Sequence, residues 1–375
     1  MTAEFEPART DDVEELHSLF HTVYGGNYAM PYGTDKDVMA AEIAADTTTW
    51  LVHRARGRIV ATVLAQVAPQ DRMAKMQGLV VHPEARGNSL ARSAVGALSE
   101  DLLADDGIDS AYGTARTIGT APQRIMLANG FHGLGILPNI RKAGRHETMA
   151  LLLRHREGVL ELRSPVDRVP AALRRIVLAV ERTIGLPKLP EFVPANEYAE
   201  FASDAKIELV DAPSFVRRTF DLQVRDPYRR FYPFHQPNVL LTEESGAFDL
   251  YAHMSRRDGY CTIVGATPSG LALAPHLEPL ITLLNASGAL YLETIVPLHA
   301  FEELSALLAH GFLPAAMYPA MRREDRVFHD YVVMTRTMEP LDFRGLAIDK
   351  AFRPYVEQYI DLWTQRHLDT SGVFR

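Results

Sequence analysis

Apolar and polar positions follow two rhythms along the first 155 residues. Over 11–23, Val13, Leu16, Leu19, Phe20 and Val23 fall at helical spacing. That spacing predicts an amphipathic helix, with Asp11 and Glu14 at its start as a variant of the capping box. Residues 24–33 are loop-like and carry Tyr24, Tyr28 and Tyr32 among three glycines. A second helix is predicted over about 36–45. The rhythm then changes. Trp50–His53 and Ile59–Val67 are strand-like, and Arg56-Gly57-Arg58 between them signals a hairpin. A third strand follows at about 74–82, then a helix to about 104 and a strand at 109–116. A short helix at 121–128 is stopped by Asn129-Gly130, and a strand at 149–154 comes last.

Residues 78–92 join a strand to a helix in a particular way. Leu79-Val80-Val81 is strand-like, His82-Pro83 breaks it, and Arg86-Gly87-Asn88-Ser89 is a turn of mostly small residues. Leu90, Ala91, Arg92, Ala94, Val95 and Leu98 then open a helix. A small-residue turn entering a helix leaves backbone N–H groups unpaired, and with the helix dipole they favour an anion, typically phosphate. Arg86 and Arg92 add positive charge. The turn has no Gly-Lys-Ser/Thr and only one glycine, so it is neither a Walker loop nor a dinucleotide fingerprint.

This string resembles the coenzyme A loop of the GNAT acyltransferase superfamily, Arg/Gln-x-x-Gly-x-Gly/Ala, usually after Val-x-Pro. Arg86 fills the first position and Ala91 the last, while Ser89 stands where the family usually has glycine. The element order over about residues 5–154 resembles the family as well, as does Gly130-Phe131 after the last short helix. The resemblance implies a mixed α/β fold, a mostly antiparallel central sheet flanked by helices. It implies acetyl-CoA, or another acyl-CoA, as co-substrate, with a small-molecule amine attacking the thioester directly. Leu79, Val80 and Val81 would then meet the pantetheine arm and the thioester. Arg86, Gly87, Asn88, Ser89, Leu90, Ala91 and Arg92 would hold the phosphates. The loop with Tyr24, Tyr28 and Tyr32 would line the acceptor pocket, or else pack its rings against the sheet.

The family's frequent general acid is a tyrosine four residues before Gly-Phe. Met126 occupies that place here and has no proton to give. Tyr112, His82 and Tyr28 are the candidate catalytic groups, with Tyr24 and Tyr32 nearby in sequence. Glu84, His132 and His146 are weaker candidates, and His53 and Gln66 lie on the central hairpin.

The second half echoes the first. Ala128-Asn-Gly130-Phe131 matches Ala309-His-Gly311-Phe312. Pro138 and Pro319 each lie eight residues past the glycine, and Arg141 and Arg322 eleven. Apolar strands follow at Met149–Leu153 and Tyr331–Met334. These coincidences imply two copies of one GNAT-like unit. In the second, Gly259–Gly265 is followed by a turn without arginine, so the phosphate loop occurs once. The expected division is a catalytic domain at 1–155, a connecting helix and Pro-rich linker at 156–200, a degenerate copy at 201–340, and a C-terminal helix at 341–375.

Composition narrows the partners. A net charge of −8 argues against a general nucleic-acid binder. With one cysteine, Cys261, there is no internal disulfide framework or multi-cysteine metal site. His17 and His21 have metal-ligand spacing on a helix but no third ligand, so no metal is expected. No run of about 18 apolar residues is present and the N-terminal segment is acidic, so a cytoplasmic protein without membrane attachment is expected, as monomer or homodimer. Two rival functions stand beside the acyltransferase: a coenzyme-A-binding regulatory pseudoenzyme and a tandem aminoacyl or peptidyl transferase.

Overall fold

The structure is a computed structural model and describes residues 3–142, 146–196, 205–225, 230, 233–268 and 270–368. Residues 197–200 of the expected linker and 369–375 of the expected C-terminal segment lie outside the described residues. The chain forms two compact units. One comprises Met1–Thr114, Ala121–His132 and Leu152–Glu157; the other comprises Ala115–Thr120, Gly133–Leu151 and Gly158–Arg375. Both are mixed α/β, built on a mostly antiparallel sheet with flanking helices.

In the first unit the sheet order is β1 (Glu6–Pro7), β2 (Thr48–Ala55), β3 (Arg58–Ala68), β4 (Met73–Val81) and β5 (Ser110–Arg116). Pairing is antiparallel up to β4, and β4 and β5 are parallel. Arg56 and Gly57, both at positive φ, turn β2 into β3. This is the two-residue hairpin whose twist matches its strands. Four helices complete the unit: α1 (Val13–Tyr24), α2 (Lys36–Ala44), α3 (Leu90–Ala104) and α4 (Ala121–Leu127). The stripe on α1 buries Leu16, Leu19 and Phe20 against Met39 of α2 and Trp50, Val52, Leu64 and Val80 of the sheet. Each such side chain contributes roughly 1.5–3 kcal/mol when fully buried. Left-handed Gly25 then ends α1, its N–H donating to the His21 carbonyl at 2.7 Å.

The second unit contains β6 (His132–Lys142), β7 (His146–His155), β10 (Ile207–Val210), β11 (Val239–Glu243), β12 (Asp249–Ser255), β13 (Tyr260–Thr267), β14 (Tyr291–Pro297), β15 (Leu313–Glu324) and β16 (Val327–Thr337). Only His132 of β6 and the last residues of β7 fall in the first unit. The order is β7-β6-β15-β16-β14-β13-β12-β11-β10, and a separate parallel pair is formed by β8 (Arg168–Pro170) and β9 (Glu191–Val193). The helices are α5 (Arg174–Ile184), α6 (Pro213–Gln223), α7 (Leu277–Ala286), α8 (Phe301–Ala309) and α9 (Arg353–His367). Tyr355 and Tyr359 of α9 are buried, and the Tyr359 hydroxyl lies 2.9 Å from Thr335 Oγ1. Cys261 is fully buried, and burial, with Glu293 nearby, pushes its thiol pKa up.

Two long strands, β6 and β15, were not expected from the apolar pattern. Gly133, Gly135 and Pro138 interrupt the first, and Pro314 and Pro319 the second. The glycines answer close approaches rather than turns. A Cβ on Gly133 would lie 2.7 Å from the Phe352 ring, and one on Gly135 would lie 2.1 Å from Ala316 Cβ. The prolines fall at two register shifts between β15 and β16, where a missing N–H costs no ladder bond.

Candidate functional site

β4 loses one neighbour partway along its length. Only Met73, Ala74 and Lys75 pair with β5, at Ser110, Ala111 and Tyr112. A buried carboxylate fixes the closed end. Asp109 accepts from Arg72 Nε at 2.6 Å and from Arg156 Nη2 at 2.7 Å, and its N–H donates to the Arg72 carbonyl at 2.7 Å. Burial pulls the Asp109 pKa upward, but the hydrogen bonds and charges of the two arginines outweigh it and hold it below the ordinary carboxylate range. On the β3 side Thr62 pairs with Val80 and Leu64 with Gln77, so Gly78 and Leu79 together face Val63. Gly78 makes this bulge possible. Its φ is +65°, and a Cβ there would lie 2.9 Å from Leu64 Cδ2. The bulge re-aims Leu79, Val80 and Val81 beside the edge that β5 has left.

The chain then turns into α3. The His82 N–H donates to the Val60 carbonyl at 2.8 Å, and its Nδ1 accepts from the Glu84 N–H at 3.3 Å. His82 thus caps the single 3-10 turn Pro83–Ala85. Gly87 and Ser89 both adopt left-handed conformations, with φ of +86° and +57°. The first helical bond is made by the Ser93 N–H to the Ser89 carbonyl, at 3.0 Å. The backbone N–H groups of Gly87 to Arg92 have no acceptor among the described residues. Arg86, Asn88, Ser89 and Arg92 are exposed, Ala91 is half-buried, and Leu90 is buried and anchors the turn. Neither Arg86 nor Arg92 has an ion-pair partner among the described residues. The result is a row of donors with two cationic side chains at the start of a 15-residue helix. One supporting residue was legible only as a helix stop. Asn129 Nδ2 donates to the Arg92 carbonyl at 3.0 Å and to the Ile125 carbonyl at 2.8 Å, tying the end of α4 to the first turn of α3.

The sheet face toward α1 and α2 holds a second group of polar residues. Thr48, Gln66, Lys75 and Tyr112 stand opposite one another on four successive strands, so they share a face. Glu42 of α2 accepts from Thr48 Oγ1 at 2.9 Å and from Gln66 Nε2 at 3.0 Å. Gln66 Oε1 in turn accepts from Gln77 Nε2 at 2.9 Å. A carboxylate only accepts, so it fixes the direction of both amides. Beside this chain the rings of Phe20, Tyr24, Tyr28, Tyr32 and Trp50 form one cluster, with the Tyr24 and Tyr28 centroids 4.8 Å apart. The Tyr28 and Tyr32 hydroxyls are 3.2 Å apart. Tyr32 is core, 2% exposed, and burial, with Tyr28 beside it, pushes its hydroxyl pKa far up. Tyr24 and Tyr28 are half-buried.

The remaining candidates are dispersed. Tyr112 is buried on β5, and Met126 lies over Gly113, its methyl 2.8 Å from where a Cβ would stand. His53 Nδ1–H donates to the Glu4 carbonyl at 2.6 Å. Burial lowers the His132 pKa. His146 belongs to the second unit, with Nε2 2.6 Å from Glu339. Glu84 is exposed. Glu42, Lys75 and Gln77 escaped the sequence reading, although two polar residues in the apolar run of β4 were the available signal. Among the described residues no cluster of three metal-ligating side chains is present, and no helix is long and apolar enough to cross a membrane.

No curated protein matches the chain. Several solved N-acetyltransferases are similar to part of it. The ribosomal-protein-S18-alanine N-acetyltransferase of Escherichia coli is 16% identical, covering 41% of this chain and 93% of its own, at a TM-score of 0.35. The phosphinothricin acetyltransferase of Sinorhizobium meliloti, solved with AcCoA, is 18% identical over 41% of this chain and 89% of its own, at 0.37. The spermidine N-acetyltransferase of Vibrio cholerae, solved with CoA and spermine, is 14% identical over 41% and 96%, at 0.37. Residues 11–119 match the family model described as acetyltransferase (GNAT) family, which takes in α1 to α3, the bulged β4, the donor row and β5. That stretch of the chain is a domain of the GNAT acetyltransferase family.

Proposed function

We propose that the chain is an acyl-CoA-dependent N-acyltransferase, moving acetyl from acetyl-CoA to the amine of a small molecule by direct attack. The observation that carries this reading is the row of N–H groups from Gly87 to Arg92 without an acceptor among the described residues, flanked by Arg86 and Arg92, directly after a bulged and half-unpaired β4. The N–H groups and the two arginines hold the diphosphate. Leu79, Val80 and Val81 offer backbone polar groups to the pantetheine arm and polarise the thioester carbonyl. The amine arrives on the face of Gln77, Gln66 and Glu42, beside Tyr24 and Tyr28. It loses a proton, its lone pair forms the N–C bond, the C–S bond breaks, and the thiolate takes up a proton. Tyr112 and Tyr28 are the candidate groups for proton movement, and His82, engaged as a cap, is left with Nε2 for that purpose.

We infer as well that residues 201–340 are a second, degenerate copy of the domain at 1–155. The order β10-β11-β12-β13-β14-β16 repeats β1-β2-β3-β4-β5-β7. Its single parallel pair, β13 with β14, stands where β4 and β5 do. The bulge recurs too: Ile263 pairs with Ala252 and Gly265 with Tyr251, leaving Val264 extra.

Calorimetry with acetyl-CoA tests the reading, on the wild type and on a variant carrying Arg86→Glu and Gly87→Asp. One site per chain, lost in the variant, is expected; no binding by the wild type would overturn it. A panel of small amines then separates enzyme from pseudoenzyme. The regulatory reading is favoured by Met126, buried where the family's acid stands, and it predicts binding without turnover.

A further inference from the structure

The second unit holds a cavity that the proposed reaction does not use. β13 and β14 pair only at Tyr260–Tyr291, Cys261–Leu292 and Thr262–Glu293. Beyond that point the strands part, and a small apolar cleft, open to solvent, lies between them, α7 and α8. The walls are Leu250, Ile263, Leu277, Val296 and Leu307, with Thr294 on one side. One acidic group enters this apolar lining: Glu303, from the first turn of α8.

Glu303 stands apart from the acidic residue beside it. Its neighbour Glu302 lies 3.8 Å from Arg168 and accepts from Asn196. Glu303 has no hydrogen bond or ion pair among the described residues. Burial alone holds its carboxyl above the ordinary range. A half-buried carboxylate without a partner is costly, and a cation supplied by a ligand removes that cost. The walls add a requirement for an apolar body attached to the cation. A fatty acid brings the wrong charge, and a plain alcohol leaves the carboxylate unneutralised.

We propose that the second unit binds a short-chain primary alkylamine as its ammonium ion, with the alkyl chain against Ile263, Leu277 and Leu307 and the ammonium at Glu303. The site stands on the second unit alone. It requires neither acyl-CoA nor the donor row of the first.

Calorimetry on the full chain without acyl-CoA, using n-hexylamine, n-hexanol and hexanoate, tests it. Saturable binding of hexylamine is expected, with hexanol and hexanoate each at least about tenfold weaker, the scale of a charge-assisted hydrogen bond. Glu303→Gln keeps the shape and removes the charge. It is expected to weaken hexylamine about tenfold and leave hexanol unchanged. Equal affinity for amine and alcohol would overturn the assignment, as would failure of hexylamine to bind. Hexylamine binding indifferent to Glu303→Gln would overturn it too, since the amine would then sit elsewhere. The wild-type comparison of three ligands decides the matter even if the variant folds poorly.

Discussion

Asp109 is the single residue on which the geometry of the candidate site leans most. Its side chain is 4% exposed and faces two arginines, so replacing it leaves two partly buried cations unmatched. Asp109→Asn is expected to cost about 3 kcal/mol, measured by urea unfolding. The pH dependence has a definite sign. The folded pKa is depressed, so the carboxylate contributes stability above its unfolded value of about 3.9, and that contribution is lost as pH falls through the lower folded value. The wild type should therefore lose stability on acidification below about pH 4 more steeply than Asp109→Asn. Parallel curves would mean that the two arginines do not hold this carboxylate. No sequence pattern announced this cluster, because Arg72, Asp109 and Arg156 lie on separate connections and meet only through the fold.

At the scale of elements, β4 with its bulge and α3 with its donor row form one device. Gly78 adopts φ +65° with Leu64 packed close, so Gly78→Ala combines backbone strain with a side-chain clash. A loss of about 2 kcal/mol is expected, together with weaker acetyl-CoA binding, because Leu79 to Val81 lose their placement. Unchanged affinity with reduced stability would show that the bulge serves the fold but not the ligand. The same elements show what the sequence could reveal. The strand, the Arg86–Ser89 turn and the helix were legible because turn chemistry and apolar period are local properties. The partial pairing of β4 with β5 was not, since it depends on a strand more than thirty residues away. Nor were β6 and β15, whose glycines and prolines read as loop until the neighbouring Phe352 and Ala316 explain them. The tyrosines of 24–32 were legible as aromatic and ambiguous in role. Tyr32 is core, whereas Tyr24 and Tyr28 keep some exposure.

For the whole molecule the question is whether the two units unfold together. The chain passes from one to the other at 114/115, 120/121, 132/133, 151/152 and 157/158. Three of those crossings fall inside β5, β6 and β7, so each of these strands is a continuous part of both units. Neither unit can lose its structure without fraying a strand of the other, which argues for one cooperative transition. The two tryptophans supply separate probes, Trp50 in the core of the first unit and Trp363 on α9 in the second. Gly135→Ala is the perturbation of choice. Its Cβ would lie 2.2 Å from Ala316 Cα, so backbone must shift, at a cost of about 3 kcal/mol. The damage falls in the second unit, close to where Gln358 of α9 donates to the Pro314 carbonyl at 2.8 Å. Followed through Trp50 in a Trp363→Phe background, and through Trp363 in a Trp50→Phe background, the unfolding midpoint should fall by the same amount. A fall confined to Trp363 would mean that the first unit holds its fold independently, and with it the donor row and the bulged strand.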